Sequence, residues 1–169
     1  MADLTGPERN ALAVIATLDD PDRLRRFIAN ARSKGSRAVE AAAFERLCHV
    51  QPEATPGTVR HDVWQSIHAL EELLRDERGK TVRLNRTRQK IARDGEAKTV
   101  SDLTLKPTPS QGFHDLLDRD LPGLAFEAVV LRHPRTFDAQ AQRAAAKRFE
   151  AAGVDPNQFK PEPQEIPHG

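Results

Sequence analysis

The spacing of apolar residues is the feature that most constrains this chain, because it follows the period of an α-helix nearly throughout. The clearest run starts near Thr58, and its apolar residues recur every three or four positions, namely Val59, Val63, Ile67, Leu70 and Leu74. Side chains at such spacings line one face of a helix and can be buried together. The pattern predicts a central core helix from Thr58 to Arg75. We expect its charged residues to face water; these are Glu71, Glu72, Arg75 and Asp76.

Start and stop signals divide the rest of the chain into shorter helices. Asp20 can cap a helix that begins at Pro21, and Gly35 is a typical residue at a helix end. The stretch Leu124 to Leu131 could be a buried strand or the last turns of a helix, and we favour a helix because no partner strand is evident. We therefore expect an all-α fold, a single irregular bundle of about eight helices.

Length and composition predict one domain with a tail. A chain of 169 residues corresponds to about one domain. The residues from Lys160 onward are rich in proline and poor in apolar side chains, which disfavours a packed structure. We place the helical domain at 1–153 and a flexible, disordered, Pro-rich C-terminal tail at 154–169.

Cysteine content and the absence of long apolar runs predict a soluble, cytoplasmic protein. A lone cysteine, Cys48, excludes an intramolecular disulfide framework and any all-cysteine metal site. The first residues lack the pattern of a secretory signal, and no apolar stretch approaches the roughly 18 residues of a membrane span. The formal net charge of +1 predicts no partner, so the positions of the charges carry the information.

A strongly basic segment lies between Lys80 and Arg93 and contains no acidic residue. Its six cations are Lys80, Arg83, Arg86, Arg88, Lys90 and Arg93, and Lys98 follows beyond the next turn. On a helix from Val82 to Arg93, with about 100° per residue, four of them form one stripe; these are Arg83, Arg86, Lys90 and Arg93.

Such a stripe suits phosphate groups, because guanidinium groups donate paired hydrogen bonds to phosphate oxygens. We predict that these seven cations bind nucleic acid, with DNA favoured, and that the protein is a small bacterial-type regulatory or accessory factor. The alternative is a solvated or internally paired surface. Acidic residues that could neutralise the stripe are Asp76, Glu77, Asp94, Glu96, Asp115, Asp118 and Asp120.

No pattern in the chain indicates catalysis, a metal or a cofactor. His61, His68 and Glu72 have helical spacing, but the His-Glu-x-x-His motif is absent, as are the glycine-rich phosphate loops and the G-x-S-x-G motif. Cys48 lies between Leu47 and His49 and is best explained as a small buried residue. We expect a protein that is not an enzyme.

A second hypothesis comes from an apolar cluster in the last third of the chain, between Phe113 and Leu131. It could be the second half of the core. It could also be a surface for a homo-oligomer or another protein, which would make the chain an interaction adaptor or a structural subunit.

Overall fold

The computed structural model describes residues 3–163 of the chain. These residues form nine α-helices and two 3-10 helices and contain no strand, which confirms the all-α prediction. The helices group into two compact units, Met1–Pro56 and Gly57–Gly169, where the sequence analysis expects one domain. Residues 164–169 of the predicted tail lie outside the described residues.

The first unit contains three helices, which are α1 (Gly6–Ile15), α2 (Pro21–Lys34) and α3 (Arg37–Val50). The Asp20 side chain accepts hydrogen bonds from the first-turn N–H groups of α2, as predicted. Gly35 ends the same helix in the left-handed conformation, with φ of 71°. Helix α3 contacts both α1 and α2, and together they bury a small aliphatic core.

The second unit is built around α4 (Val59–Arg78). The Thr58 side chain caps this helix, which ends at Arg78 with Gly79 as its C-cap. Val63 and Ile67 of the predicted apolar face are fully buried, whereas Val59, Leu70 and Leu74 are partly exposed. The remaining elements are α5 (Asn85–Asp94), α6 (Glu96–Thr104), α7 (Gln111–Asp118), a 3-10 helix (Pro122–Leu124), α8 (Phe126–Arg132), α9 (Ala139–Ala151) and a 3-10 helix (Pro156–Phe159).

The ambiguous stretch from Leu124 to Leu131 is largely helix α8. Every residue from Glu127 to Leu131 is buried, because α8 contacts α4, α6 and α9. A helix that is surrounded in this way is apolar on all sides, and for that reason its sequence resembles that of a buried strand.

The chain stays packed beyond Gly153, where the sequence analysis expects the tail to begin. The Val154 N–H donates to the Phe149 carbonyl at 2.9 Å. The ring of Phe159 lies 4.6 Å from that of Phe149, centroid to centroid, and only 9% of Phe159 is exposed. Pro156 is buried in the same segment, and average composition does not reveal these contacts.

No helix within residues 3–163 has both the length and the apolar character that crossing a membrane requires.

Candidate nucleic-acid interface

Helix α5 carries most of the predicted cations, but it begins at Asn85 instead of Val82. The Leu84 N–H donates to Glu71 Oε2 at 2.8 Å, and Leu84 has φ of −79° and ψ of 68°, which are not helical values. Arg83 therefore lies on the segment before the helix. The predicted stripe of four cations on one helix is wrong in this respect.

Arg88 is held against the protein by Glu71 and Trp64. Its Nε and NH2 groups donate to the two carboxylate oxygens of Glu71 at 2.8 and 2.5 Å. Its guanidinium carbon lies 5.1 Å from the Trp64 ring centroid, a cation–π distance. Donation to the Glu71 carboxylate is the main reason that the pKa of Arg88 is raised. Arg88 thus attaches α5 to α4. Its guanidinium group is bonded within the fold and is not available to contact phosphate.

Glu71 was expected to face water, and the structure corrects this, since only 8% of the residue is exposed. It lies four positions after the buried Ile67, on the same face of α4. An acidic residue within an apolar stripe indicates a buried partner, and this signal was available in the sequence. The identity of the partner, Arg88, was not.

The ammonium group of Lys90 is also bonded to carboxylates within the fold. Its Nζ donates to Asp94 at 2.9 Å and to Asp102 on α6 at 2.8 Å. Lys98 donates to the same Asp102 carboxylate at 3.1 Å. The bond from Lys90 to Asp102 connects α5 to α6 across Gly95, whose φ of 87° and ψ of 166° strongly favour glycine. Lys90 and Lys98 belong to an ion-pair network that joins the two helices.

The other predicted cations are exposed. Lys80, Arg83 and Arg86 form no ion pair with any carboxylate in the part of the chain that the structure describes. Arg93 contacts its neighbour Asp94 at 3.3 Å, and 70% of its side chain remains exposed. Of the seven predicted site residues, Arg88 and Lys90 are paired within the fold and partly buried, and the other five are exposed. Among these five, Arg93 and Lys98 each contact an aspartate on their own helix.

Helix α5 presents a continuous polar face to solvent, which we call the α5 outer face. With about 100° per residue, its members lie within an arc of about 100°. They are Asn85, Arg86, Gln89 and Arg93, and all four are exposed. The first turn of α5 holds no acidic residue, and no side chain caps it. The N–H groups of a first helical turn lack acceptors within the helix and favour negative charge.

The apolar region between Phe113 and Leu131 is mainly core. Its buried residues include Phe113, Leu116, Leu121, Leu124, Ala125 and Ala128 to Leu131. Phe126 is partly exposed. As a surface for a protein partner, this region thus offers little apolar area, and it accounts for the second half of the core.

The histidines and the cysteine do not form a reactive cluster in the described part of the chain. His61 is 1% exposed, and His133 Nε2 lies 2.7 Å from Asp62 Oδ2. Cys48 is fully buried among apolar residues in the other unit. Within residues 3–163, no group of three or more histidine, cysteine, aspartate or glutamate side chains is arranged to hold a metal ion.

The ion-pair network shifts the pKa values of its two carboxylates, Asp94 and Asp102. Hydrogen bonds from Lys90 and then Lys98 lower the pKa of Asp102 below its ordinary value of 3.8, and bonds from Lys90 and Arg93 lower that of Asp94. Carboxylates of this kind stabilise the fold above their ordinary pKa, and that contribution is lost as the pH falls through the lowered folded value. We expect Lys90→Met to move both pKa values upward toward 3.8.

A titration of the carboxyl carbons by NMR measures this directly. Lys147→Met removes an exposed cation from α9 and is the matched control, which should leave both aspartates unchanged. If Lys90→Met also leaves them unchanged, the network does not exist in solution.

No protein-family model, curated protein or solved structure matches this chain. The candidate interface is therefore judged on its own geometry. The fold defines an all-α protein, and the exposed basic and amide groups of α5 are its main candidate site.

Proposed function

We propose that the protein binds nucleic acid through the α5 outer face together with Lys80 and Arg83. The observation that carries this proposal is the division of the basic segment. Arg88 and Lys90 fix α5 to the rest of the unit. Arg83 and Arg86 remain exposed without ion pairs to described carboxylates.

The chemistry of the face fits a nucleic-acid backbone. Arginine donates in a planar fork that matches phosphate oxygens. The amides of Asn85 and Gln89 are exposed between the arginines, and such groups can bond to the sugar-phosphate backbone or to base edges.

Fewer residues are proposed to contact phosphate than the seven that the sequence predicts. Arg88 and Lys90 act by holding α5 in place, since their charged groups are bonded to Glu71 on α4 and Asp102 on α6. Lys98 is bonded to Asp102 within α6. The contacts to phosphate then come from Lys80, Arg83, Arg86 and Arg93. The protein is expected to associate with DNA in a regulatory or accessory role.

The test is fluorescence anisotropy with a labelled generic duplex at low and moderate salt. We expect Arg83→Gln combined with Arg86→Gln to weaken binding by about a hundredfold or more, since each lost bond to a charged group is worth roughly 1.5–3 kcal/mol. The slope of log affinity against log salt should become shallower by about 2, because each phosphate contact contributes about 0.9.

The matched control removes two exposed arginines elsewhere in the same unit, Arg135→Gln with Arg143→Gln. It should change affinity less than about twofold, because only distant charge is lost. Equal losses in the two variants would indicate attraction to overall charge alone and would contradict the proposed face. Absence of binding to duplex DNA, single-stranded DNA and RNA at low salt would end the proposal.

A further inference from the structure

A cavity of about 510 Å³ lies within the second unit. It is bordered by α4, α5, α7, α8 and the segment between α6 and α7. Its apolar lining includes Leu70, Leu74, Leu84, Leu103, Phe113 and Phe126. Leu70, Leu74 and Phe126 are only half-buried because they border this space. Ligand pockets in proteins typically measure roughly 300–1,000 Å³ and have mainly apolar walls.

The walls of the cavity are held by bonds that need no ligand. The Arg148 guanidinium donates to the carbonyl oxygens of Leu103, Lys106 and Thr108 at 3.3, 2.7 and 3.2 Å. These bonds fix the segment after α6. On the other side, the bidentate contact of Arg88 with Glu71 fixes α5 against α4. The space is therefore preformed.

Helix α7 approaches α4 closely at one point. A Cβ atom at Gly112 would lie 2.9 Å from Leu70 Cδ2, so glycine allows this contact. Both Leu70 and Gly112 line the cavity.

The charges around the cavity favour a negative group. Glu127 is paired with Arg148 at 2.7 Å, whereas Asp115 accepts from the neutral Gln111 amide at 2.9 Å and keeps its charge. Arg78 and Lys106 are exposed lining residues, and neither forms an ion pair with a carboxylate among the residues that the structure describes. The lining therefore carries a net positive charge, because these two cations outnumber Asp115.

We propose that this cavity binds a single-chain amphiphile, with its aliphatic tail among the leucines and its carboxylate near Arg78 and Lys106. The apolar lining provides the hydrophobic contribution, and the two cations provide charge complementarity for the head group. This site is separate from the nucleic-acid proposal, and each can fail without the other.

The experiment is isothermal titration calorimetry of the full chain with dodecanoate below its micelle concentration. Dodecyltrimethylammonium, a cation of the same chain length, is the comparison ligand. We expect dodecanoate to bind with one-to-one stoichiometry and at least tenfold more tightly than the cation.

Two kinds of variant test whether dodecanoate binds in this cavity. Arg78→Gln with Lys106→Gln alters only exposed side chains and should weaken dodecanoate binding about tenfold, whereas Arg75→Gln with Lys147→Gln, also exposed, should leave it within twofold. Leu74→Trp fills the cavity and should abolish binding, with circular dichroism used to verify the fold.

Three results would overturn the proposal. The first is no binding of dodecanoate. The second is binding that the Arg78 and Lys106 changes leave intact, or binding of the cation with equal affinity. The third is that the protein does not bind dodecanoate but binds an acidic amphipathic peptide through Arg78 and Lys106. This result would make the cavity part of a protein-docking groove.

Discussion

Replacing Arg148 with methionine is expected to lower the free energy of unfolding of the second unit by about 3–5 kcal/mol, the usual cost of breaking a buried ion pair. The Arg148 and Glu127 side chains are 9% and 5% exposed, so water cannot compensate for the loss. The change leaves the Glu127 charge without its partner. It also removes the donor for three backbone carbonyls between Leu103 and Thr108.

The measurement is denaturant unfolding followed by the fluorescence of Trp64, the only tryptophan, which lies in the second unit and therefore reports on it. Arg143→Met is the matched control. It is the same substitution on the same helix at an exposed position, and it should cost no more than about 0.5 kcal/mol.

A second change separates the ion pair from the carbonyl bonds. Adding Glu127→Leu to Arg148→Met removes the unpaired charge and should restore part of the stability, whereas the carbonyls stay without a donor. An Arg148→Met variant as stable as the Arg143→Met control would show that this buried pair contributes nothing in solution.

Replacing Glu71 with alanine is expected to cost about 2–3 kcal/mol, somewhat less than a fully buried pair, because 25% of the Arg88 side chain is exposed. The change removes both acceptors of Arg88 and the acceptor of the Leu84 N–H. Since these bonds attach α5 to α4, the amide hydrogens of α5 should also exchange faster with solvent.

Hydrogen exchange and Trp64 fluorescence measure the two effects. Glu77→Ala, an exposed acidic position on the same helix, is the control and should change stability by less than about 0.5 kcal/mol. Replacing both partners, Glu71→Met with Arg88→Met, should recover stability, because a packed apolar pair has no charge to desolvate. Equal exchange rates in α5 for the Glu71 and Glu77 variants would contradict the role assigned to Glu71.

These two ion pairs have different consequences for the proposed sites. Arg148 holds one wall of the cavity, whereas Glu71 holds α5, which borders the cavity and also carries the α5 outer face. Loss of Glu71 should therefore weaken nucleic-acid binding through disorder of α5, even though Arg88 gains freedom. Loss of Arg148 should weaken dodecanoate binding more than nucleic-acid binding.

The candidate site could be predicted only in part. The sequence located the basic segment and the helix within it, because charge runs and capping signals are local. It did not show which cations are neutralised. Arg88 pairs with a residue 17 positions away, and Lys90 with one 12 positions away. The cavity gave no sequence signal, since Leu70 and Leu74 match the core pattern whether they face another helix or an empty space.

The sequence by itself determined the helical class and most helix starts. Thr58 and Asp20 cap their helices through side chains that reach only the next turn, so neighbouring residues suffice to specify these features. Only the tertiary structure decided which charges are free, that Phe159 is packed, and that the contacts form two units. The physical reason is that pairing and burial depend on distance in space, and distant segments set that distance.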